Sequence, residues 1–230
     1  MKRLLSILTI LVCVTAAGKQ PKITSRPFGE LSTGESTTLY TITNRSGASM
    51  QLLDYGARIV SIMMPDRKGH NGDVVVGFGD IENFEKKDRF IGPVIGRFGN
   101  RINHAAFTLD GTRYELVANE KLGGEPVQCH GGTMGFDRFV WDATPVKEEG
   151  RTGVRFHRVS PDGEQGFPGN MDVNVPYWLT DNNTVRVEYE ATTDKPTVVN
   201  LSNHTYFNLK GNEGGYVMDH LLQVEADTCI

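Results

Sequence analysis

The chain has 230 residues, of which 38% are hydrophobic and 23% charged, and its formal net charge at pH 7 is -4. This length and composition are typical of a folded globular protein and exclude a disordered or fibrous chain. Lysine and arginine occur in short pairs rather than in long runs, so the charge pattern argues against nucleic acid as a partner.

The first 18 residues have the pattern of a secretory signal peptide. Lys2 and Arg3 precede an apolar stretch over residues 4–14, and small residues follow at positions 16–18. The apolar stretch is shorter than the roughly 20 residues that a transmembrane helix needs, whereas its flanks are typical of a cleaved export signal. We therefore expect residues 1–18 to be removed on export, and the mature protein to be periplasmic or extracellular without stable membrane association.

After the signal, the sequence predicts a polar spacer followed by one domain. Residues 19–35 are rich in Pro, Gly, Ser and Thr, a composition typical of loops. Residues 36–230 contain no linker, low-complexity tract or repeat that would divide them. Cys129 and Cys229 remain in the mature chain and are too few for a disulfide framework. The sequence decides neither whether they pair nor the oligomeric state.

Most of the domain consists of short segments with the alternation of β-strands. The predicted strands cover residues 37–43, 50–53, 58–64, 73–77, 139–144, 153–159, 171–179 and 185–190. Residues 106–116 form a predicted hairpin with Asp110-Gly111 at its tip, a dipeptide that favours a tight turn, and residues 81–89 are a predicted helix. Short strands with frequent turns and little helical periodicity predict an all-β protein of stacked antiparallel sheets.

A run of polar and aromatic residues late in the sequence carries the strongest functional signal. It reads Asn200-Leu201-Ser202-Asn203-His204-Thr205-Tyr206-Phe207-Asn208-Leu209. As an extended strand, the run would turn its odd-numbered residues toward the core and its even-numbered residues, including His204, toward a cleft. An imidazole among amides and aromatic rings can bind a polyhydroxylated ligand and transfer a proton. The alternative is a buried structural histidine that bonds to the backbone.

Two segments upstream add groups of the same kind. Cys129-His130-Gly131-Gly132 places a histidine before two glycines, which permit positive φ angles and close backbone approach. Gly96-Arg97-Phe98-Gly99-Asn100-Arg101-Ile102 supplies an amide and two guanidinium groups, which are rich in hydrogen-bond donors. Each segment alone is an ordinary loop, but a second histidine in addition to His204 favours a sugar site.

In this order, the three segments resemble the aldose 1-epimerase (galactose mutarotase) family, whose members carry Asn-Arg-Ile, then His-Gly-Gly, then Asn-His-x-Tyr-Phe-Asn-Leu. The resemblance extends from about residue 36 to the end of the sequence. It implies a large antiparallel β-supersandwich, and an enzyme that interconverts the α and β anomers of free hexoses such as glucose and galactose by acid–base ring opening and reclosure. It also implies a free monosaccharide substrate and no cofactor, but not which aldose is preferred.

The resemblance assigns roles to individual residues. It implies that His204 is the general acid at the ring oxygen and that His130 hydrogen-bonds the sugar near this atom. The implied substrate-binding residues are Asn100, Arg101, His130, Tyr206 and Asn208, with a weaker assignment for Arg97. Three other histidines match no catalytic position and are expected to be structural or exposed, namely His104, His157 and His220.

The family pattern is incomplete in this sequence. The resemblance implies a catalytic base glutamate and a substrate-binding aspartate downstream of Ile230, and residues 221–230 have the character of a strand. We therefore expect roughly the first two-thirds of a longer protein, truncated at its C-terminus. We expect the 230-residue chain alone to have reduced activity and to self-associate through unpaired strand edges. Residues 119–128 also form a longer approach to His-Gly-Gly than is usual, which would change the rim of the cleft.

Three alternatives compete with a mutarotase that acts on free hexoses. A non-catalytic carbohydrate-binding β-sandwich would keep the aromatic cleft without moving a proton. A metal-dependent β-sandwich enzyme would use His130 and His204 as ligands, although the sequence has no short His-x-His pair, which such sites usually include. A hexose-6-phosphate mutarotase would need basic residues for the phosphate, and an exported enzyme is not expected to meet phosphorylated sugars.

Overall fold

A computed structural model describes residues 20–87 and 90–228. The predicted signal peptide and Cys229 lie outside the described residues. The first sheet is antiparallel, and its five strands follow one another in chain order. They are β1 (Lys22–Glu30), β2 (Ser36–Thr43), β3 (Ser49–Leu53), β4 (Arg58–Pro65) and β5 (Asn71–Asp73). The helix α1 (Ile81–Lys86) follows this sheet.

Several short strands connect α1 to the second large sheet. They are β6 (Val94–Ile95), β7 (Arg101–Asn103), β8 (Ala106–Leu109), β9 (Thr112–Glu115), β10 (Glu120–Leu122) and β11 (Glu125–Cys129). β8 and β9 form a hairpin, and β10, β11 and β7 form an antiparallel sheet in that order. The hairpin confirms the turn predicted at Asp110-Gly111, where the φ angles are 49° and 78°, as a tight hairpin turn requires.

The second large sheet is also antiparallel. Its strands are β12 (Asp142–Glu148), β13 (Arg151–Ser160), β14 (Met171–Thr180), β15 (Val185–Val187) and β16 (Glu190–Thr193). The first four lie in chain order, and β16 pairs with a different part of β14. The short strand β17 (Ser202–Asn203) pairs with β6. Two 3₁₀ turns cover Phe136–Arg138 and Glu164–Gly166.

The main core lies between the two large sheets. Strands β2 and β3 contribute Ile42 and Met50, which are fully buried, and β13 and β14 contribute Phe156 and Val175 to the same cluster. Burial of the apolar faces of two sheets against each other is the main stabilising interaction of a sandwich. The structure therefore confirms the predicted all-β sandwich of antiparallel sheets.

The helix α1 covers the opposite face of the first sheet. Ile81 and Phe84 pack against buried side chains of β2, β3 and β4 in a second cluster. Asp80 caps the helix by accepting a backbone hydrogen bond of 2.8 Å from the first turn, as N-cap carboxylates do. The predicted helix is confirmed as far as Lys86. Within the two described ranges, no helix is long and apolar enough to cross a membrane.

The predicted spacer over residues 19–35 is wrong for most of its length. Its central part forms β1, which pairs with β2 from Lys22 opposite Thr43 to Glu30 opposite Ser36. No side chain of β1 is fully buried, so backbone hydrogen bonds at the sheet edge hold this strand rather than apolar burial. An edge strand tolerates proline and polar residues, and its composition therefore resembled that of a loop.

The polar run over residues 200–209 is not the continuous strand that was predicted. Only Ser202–Asn203 is a strand, and single bridges to other parts of the chain flank it. The predicted alternation fails at the end of the run, because Phe207 and Leu209 are 55% and 71% exposed whereas Asn208 is 4% exposed. The run has three separate backbone partners rather than one neighbouring strand, so no single alternation applies to it.

Other strand ends differ from the prediction by a few residues. The strand predicted over 73–77 ends at Asp73, and the strand predicted over 139–144 begins at Asp142. Residues 221–228, the described part of the last predicted strand, contain no strand. Strand ends depend on the length of the neighbouring strand, which a single segment does not reveal.

Candidate active site

The ladder between β7 and β11 brings His130 and Asn100 together. The two strands pair with Cys129 opposite Arg101, so the residues just beyond this pair also lie side by side. His130 donates its backbone N–H to the Asn100 carbonyl at 3.0 Å. Asn100 donates its backbone N–H to Nδ1 of the His130 ring, also at 3.0 Å. The backbone of the Asn-Arg-Ile segment therefore holds the His130 ring.

Both residues of this pair have left-handed backbone conformations. The φ angles are 52° for His130 and 66° for Asn100, a region that costs a residue with a Cβ about 1 kcal/mol or more. Gly131 follows with a φ of 92°, and a Cβ at this position would collide with the carbonyl oxygen of Gly96. Glycine is thus required at this position both by conformation and by space.

His204 is placed by a second ladder. It follows β17, which pairs with β6, and its backbone N–H donates to the Pro93 carbonyl at 2.9 Å. The preceding residue, Asn203, donates from Nδ2 to the Gly92 carbonyl at 2.9 Å and to the Tyr177 hydroxyl at 3.1 Å. Asn203 therefore anchors the His204 segment to the core.

The two imidazole rings meet within a cluster of aromatic rings. The ring centroids of His130 and His204 are 5.1 Å apart, and the ring planes are nearly perpendicular. The Phe90 ring lies 4.7 Å from that of His130 and 5.8 Å from that of His204. The Tyr206 ring lies 5.0 Å from His204 and its side chain is partly exposed. Three of the predicted site residues are therefore neighbours with an accessible side.

The surroundings of His130 keep its ring neutral. Burial, together with the nearby His204 and Arg101, lowers the pKa of His130 from 6.5 to about 4, while Glu120 acts in the opposite direction. Because Nδ1 accepts the N–H of Asn100, the proton of the neutral ring lies on Nε2. His130 can therefore donate a hydrogen bond to a ligand from Nε2, but it is not a proton source near neutral pH.

Arg101 forms a bidentate ion pair with Glu120 of β10. Its Nε and Nη2 groups donate to the two carboxylate oxygens at 3.0 and 2.9 Å, and Nη1 donates to Oδ1 of Asn100 at 3.3 Å. The hydrogen bonds between the pair raise the pKa of Arg101 and lower that of Glu120. The Arg101 side chain is 38% exposed and keeps N–H groups that have no partner among the described residues.

Arg97 and Asn208 occupy structural positions instead. Arg97 is 1% exposed, and its guanidinium donates to a hydroxyl and four backbone carbonyls within residues 160–169. Asn208 donates from Nδ2 to the Gly215 carbonyl at 2.9 Å and accepts at Oδ1 from the Lys210 backbone at 3.1 Å. Both side chains thus use their polar groups within the fold, and the structure does not bring them into the cluster around His130 and His204; the binding role of Asn208 remains a prediction.

Over residues 20–87 and 90–228, the other nucleophilic and metal-ligating side chains form no second cluster. Burial raises the pKa of the Cys129 thiol to about 11, so this thiol is protonated at neutral pH. The four histidines outside the cluster have local partners: the Asp66 carboxylate for His70, the Glu125 carboxylate for His104, the Asp172 carboxylate for His157 and the Leu209 backbone for His220. In the described part of the chain, no group of three His, Cys, Asp or Glu side chains could hold a metal ion.

Two residues of the site could not be identified from the sequence. Phe90 contacts both imidazole rings, and Glu120 binds Arg101, but neither belongs to one of the recognised motifs. Glu120 begins the long approach to His-Gly-Gly, which folds as the β10–β11 hairpin with positive φ angles at its turn glycines. The pairing of Glu120 with Arg101 depends on the register of three strands, which the sequence alone does not give.

Comparisons with known proteins agree with this arrangement. The aldose 1-epimerase family profile matches residues 38–230. Human galactose mutarotase is 38% identical over 206 residues, which cover 90% of this chain and 58% of the human protein. The aldose 1-epimerase of Escherichia coli (strain K12) is 38% identical over 194 residues, which cover 84% of this chain and 54% of that protein.

A solved structure has the same fold. The crystal structure of galactose 1-epimerase from Lactobacillus acidophilus NCFM matches with a TM-score of 0.73 and 27% identity, over 83% of this chain and 54% of that chain. The chain thus spans somewhat more than half the length of the relatives that it matches. Because the family match covers most of its residues and its fold is shared, the chain belongs to the aldose 1-epimerase family.

Proposed function

We propose that the protein is a mutarotase that interconverts the α and β anomers of a free aldohexose of the galactose or glucose type. The observation that carries the proposal is the contact between His130 and His204, whose ring centroids are 5.1 Å apart. The human and E. coli relatives, a galactose mutarotase and an aldose 1-epimerase, support the same reaction. Mutarotation needs a proton donor at the ring oxygen and donors that hold the sugar, and this cluster has both kinds of group.

Ring opening couples two proton transfers. Protonated His204 gives its proton to the ring oxygen as the bond between this oxygen and C1 breaks, while a general base removes the proton of the C1 hydroxyl. The open sugar has an aldehyde at C1, and rotation about the C1–C2 bond presents the other aldehyde face. Reversal of both transfers closes the ring as the other anomer and restores the enzyme. Each transfer is worth roughly 10²–10⁴-fold in rate.

His130 and His204 have different tasks in this proposal. Because burial keeps His130 neutral, it donates a hydrogen bond from Nε2 near the ring oxygen and leaves the proton transfer to His204. On the family resemblance the base is a glutamate, and no residue of this sequence is assigned to that role. No metal or organic cofactor takes part in this scheme.

The sugar hydroxyls would bind beside the two imidazole rings. Arg101 is held by Glu120 with N–H groups left over for a ligand, and Asn100 presents an exposed side-chain amide. The partly exposed ring of Tyr206 offers a flat apolar surface to the C–H face of a sugar. Donors around an aromatic surface fit a neutral polyol better than an anion.

Polarimetry tests the proposal directly. The optical rotation of freshly dissolved α-galactose and α-glucose is followed with the full translation product of the gene, because the present chain spans only part of its relatives' length. We expect acceleration by the wild type and a loss of at least about 10²-fold in His204→Ala. His104→Ala, which alters a histidine with an exposed side chain, should retain the wild-type rate.

Two outcomes would replace the proposal by an alternative. Sugar binding without acceleration by the wild type would favour a carbohydrate-binding module. Acceleration confined to glucose-6-phosphate and galactose-6-phosphate would favour a hexose-6-phosphate mutarotase. Equal rates for His204→Ala and wild type would contradict the role of His204 as the acid.

We also propose that residues 1–18 direct export to the periplasm or the extracellular space. Their charged start, short apolar stretch and small residues support this role. Fractionation of cells that express a C-terminally tagged chain, followed by N-terminal sequencing, should find a mature form beginning near residue 19 outside the cytoplasm. A cytoplasmic protein that keeps Met1 would contradict export, and a variant without residues 2–18 provides the matched control.

A further inference from the structure

We propose that Glu120 is a positioning residue of the sugar site, which orients Arg101 and, through Asn100, the ring of His130. The inference rests on the proposed function and adds to it a carboxylate on the β10–β11 hairpin, a part of the chain outside the recognised motifs. Within the described residues, Glu120 forms no hydrogen bond with either imidazole ring, so it would act through other residues rather than on the sugar.

A continuous series of hydrogen bonds connects Glu120 to His130. The carboxylate accepts from Nε and Nη2 of Arg101 at 3.0 and 2.9 Å, and Nη1 of Arg101 donates to Oδ1 of Asn100 at 3.3 Å. The Asn100 backbone N–H then donates to Nδ1 of His130 at 3.0 Å. Loss of Glu120 therefore releases the Arg101 guanidinium first and, with it, the side chain of Asn100, the residue whose backbone contacts the His130 ring.

The sheet register explains why Glu120 can reach Arg101. On the central strand β11, Val127 lies opposite Glu120 of β10, and Cys129 lies opposite Arg101 of β7. Residues two apart on a strand share a face, so Glu120 and Arg101 lie diagonally across β11 on the same face. Their strands flank β11 and are roughly 10 Å apart, a gap that the long arginine and glutamate side chains bridge with their hydrogen bonds of 3.0 and 2.9 Å.

Arg101 needs such a partner because its side chain is long and partly exposed. The Arg101 side chain is 38% exposed. Without a partner it would sample many rotamers and lose conformational entropy on binding a ligand. A bidentate carboxylate fixes the plane of the guanidinium. The remaining N–H groups then point in set directions before the sugar arrives.

Substitution of Glu120 should weaken sugar binding more than it slows the chemical step. We expect Glu120→Gln to raise the KM for galactose about tenfold, the effect of losing one charge-assisted hydrogen bond, with a kcat within about threefold of wild type. Glu120→Ala should raise KM at least as much. Glu125→Gln is the matched control, because it removes an exposed carboxylate of the same hairpin that pairs with His104 instead.

A second readout does not depend on the reaction. The ¹⁵N NMR signals of the His130 ring are compared at pH 7, where the ring is neutral in every variant because loss of the Glu120 charge only lowers its pKa further. They should shift in Glu120→Gln and Glu120→Ala, because Asn100 is no longer held, but not in Glu125→Gln. Thermal unfolding checks that each variant is folded. If the wild type lacked mutarotase activity, the proposed function would fail, while shifted His130 signals would still support the role of Glu120. Unshifted signals, or equal KM changes for the Glu120 and Glu125 variants, would overturn the inference.

Discussion

The hydroxyl group of Tyr177 connects the core of the sandwich to the segment that carries His204. This fully buried hydroxyl donates to the Ala57 carbonyl at 2.7 Å and accepts from Nδ2 of Asn203 at 3.1 Å. We expect Tyr177→Phe to lower the free energy of unfolding by about 1–3 kcal/mol, because the buried Ala57 carbonyl loses its donor and Asn203 loses an acceptor. The aromatic ring remains packed against Phe156, so no cavity of methyl size adds to this cost.

Urea unfolding followed by tryptophan fluorescence measures the change. The m-value should stay constant, since the variant exposes no additional surface on unfolding, and the melting temperature should fall by roughly 2–4 °C for each kcal/mol. Tyr114→Phe is the matched control, because the Tyr114 hydroxyl has no hydrogen-bond partner in the described part of the chain. It should change stability by less than about 0.5 kcal/mol.

A double-mutant cycle with Asn203→Ala separates the two hydrogen bonds of the hydroxyl. The cycle should give a coupling free energy of about 0.5 kcal/mol or more, because Tyr177 and Asn203 are in direct contact. The reasoning would be refuted by a Tyr177→Phe variant as stable as Tyr114→Phe. A coupling free energy of zero would refute only the link between the core and the His204 segment, not the predicted loss of stability.

Three further predictions concern buried ionisable side chains. Burial raises the pKa of Asp54 from 3.8 to about 6, so the stability that its protonated form contributes is complete below pH 3.8 and is lost as the pH rises through 6. The loss of unfolding free energy caused by Asp54→Asn, measured by urea unfolding, should therefore decrease between pH 4 and 7, by at most about 3 kcal/mol. A loss that does not change with pH would contradict this. Arg97→Lys should lower the unfolding free energy by at least about 2 kcal/mol, because an ammonium cannot reproduce the buried guanidinium hydrogen bonds; a Lys variant as stable as wild type would contradict this. The His130 ring should titrate near pH 4 in NMR spectra, and a midpoint near 6.5 would contradict its neutrality.

Elements whose partners are close in sequence could be predicted. The β8–β9 hairpin was found because Asp110-Gly111 specifies its turn locally, and β2 to β4 alternate because one face is buried. β1 is an exception: its partner β2 is the next strand in the chain, but β1 has no fully buried side chain and so lacks the apolar alternation that marks a strand. The run after Asn200 failed for a different reason, because its partners come from distant segments.

The residues of the site also separate into those that the sequence could predict and those that it could not. The motifs located His130, His204, Asn100 and Arg101, and the fold brings these residues close to one another. Phe90 and Glu120 reach the cluster only through long-range packing and strand register. Asn208 shows the opposite case, because it lies inside a family motif while its amide bonds to the backbone of a local turn. A motif thus identifies the segment, whereas the direction of each side chain depends on contacts that only the fold supplies.

The backbone at the cluster explains how the imidazole rings keep their positions. Phe90, Asn100 and His130 all have positive φ angles, of 57°, 66° and 52°, and each such residue costs about 1 kcal/mol or more. For Asn100 and His130 the two reciprocal hydrogen bonds of 3.0 Å offset this cost. The His130 ring is therefore oriented by the backbone, not by its own rotamer preference alone. Proton transfer requires atoms within hydrogen-bond reach, so the register of Cys129 opposite Arg101 matters to the site as much as the imidazoles themselves.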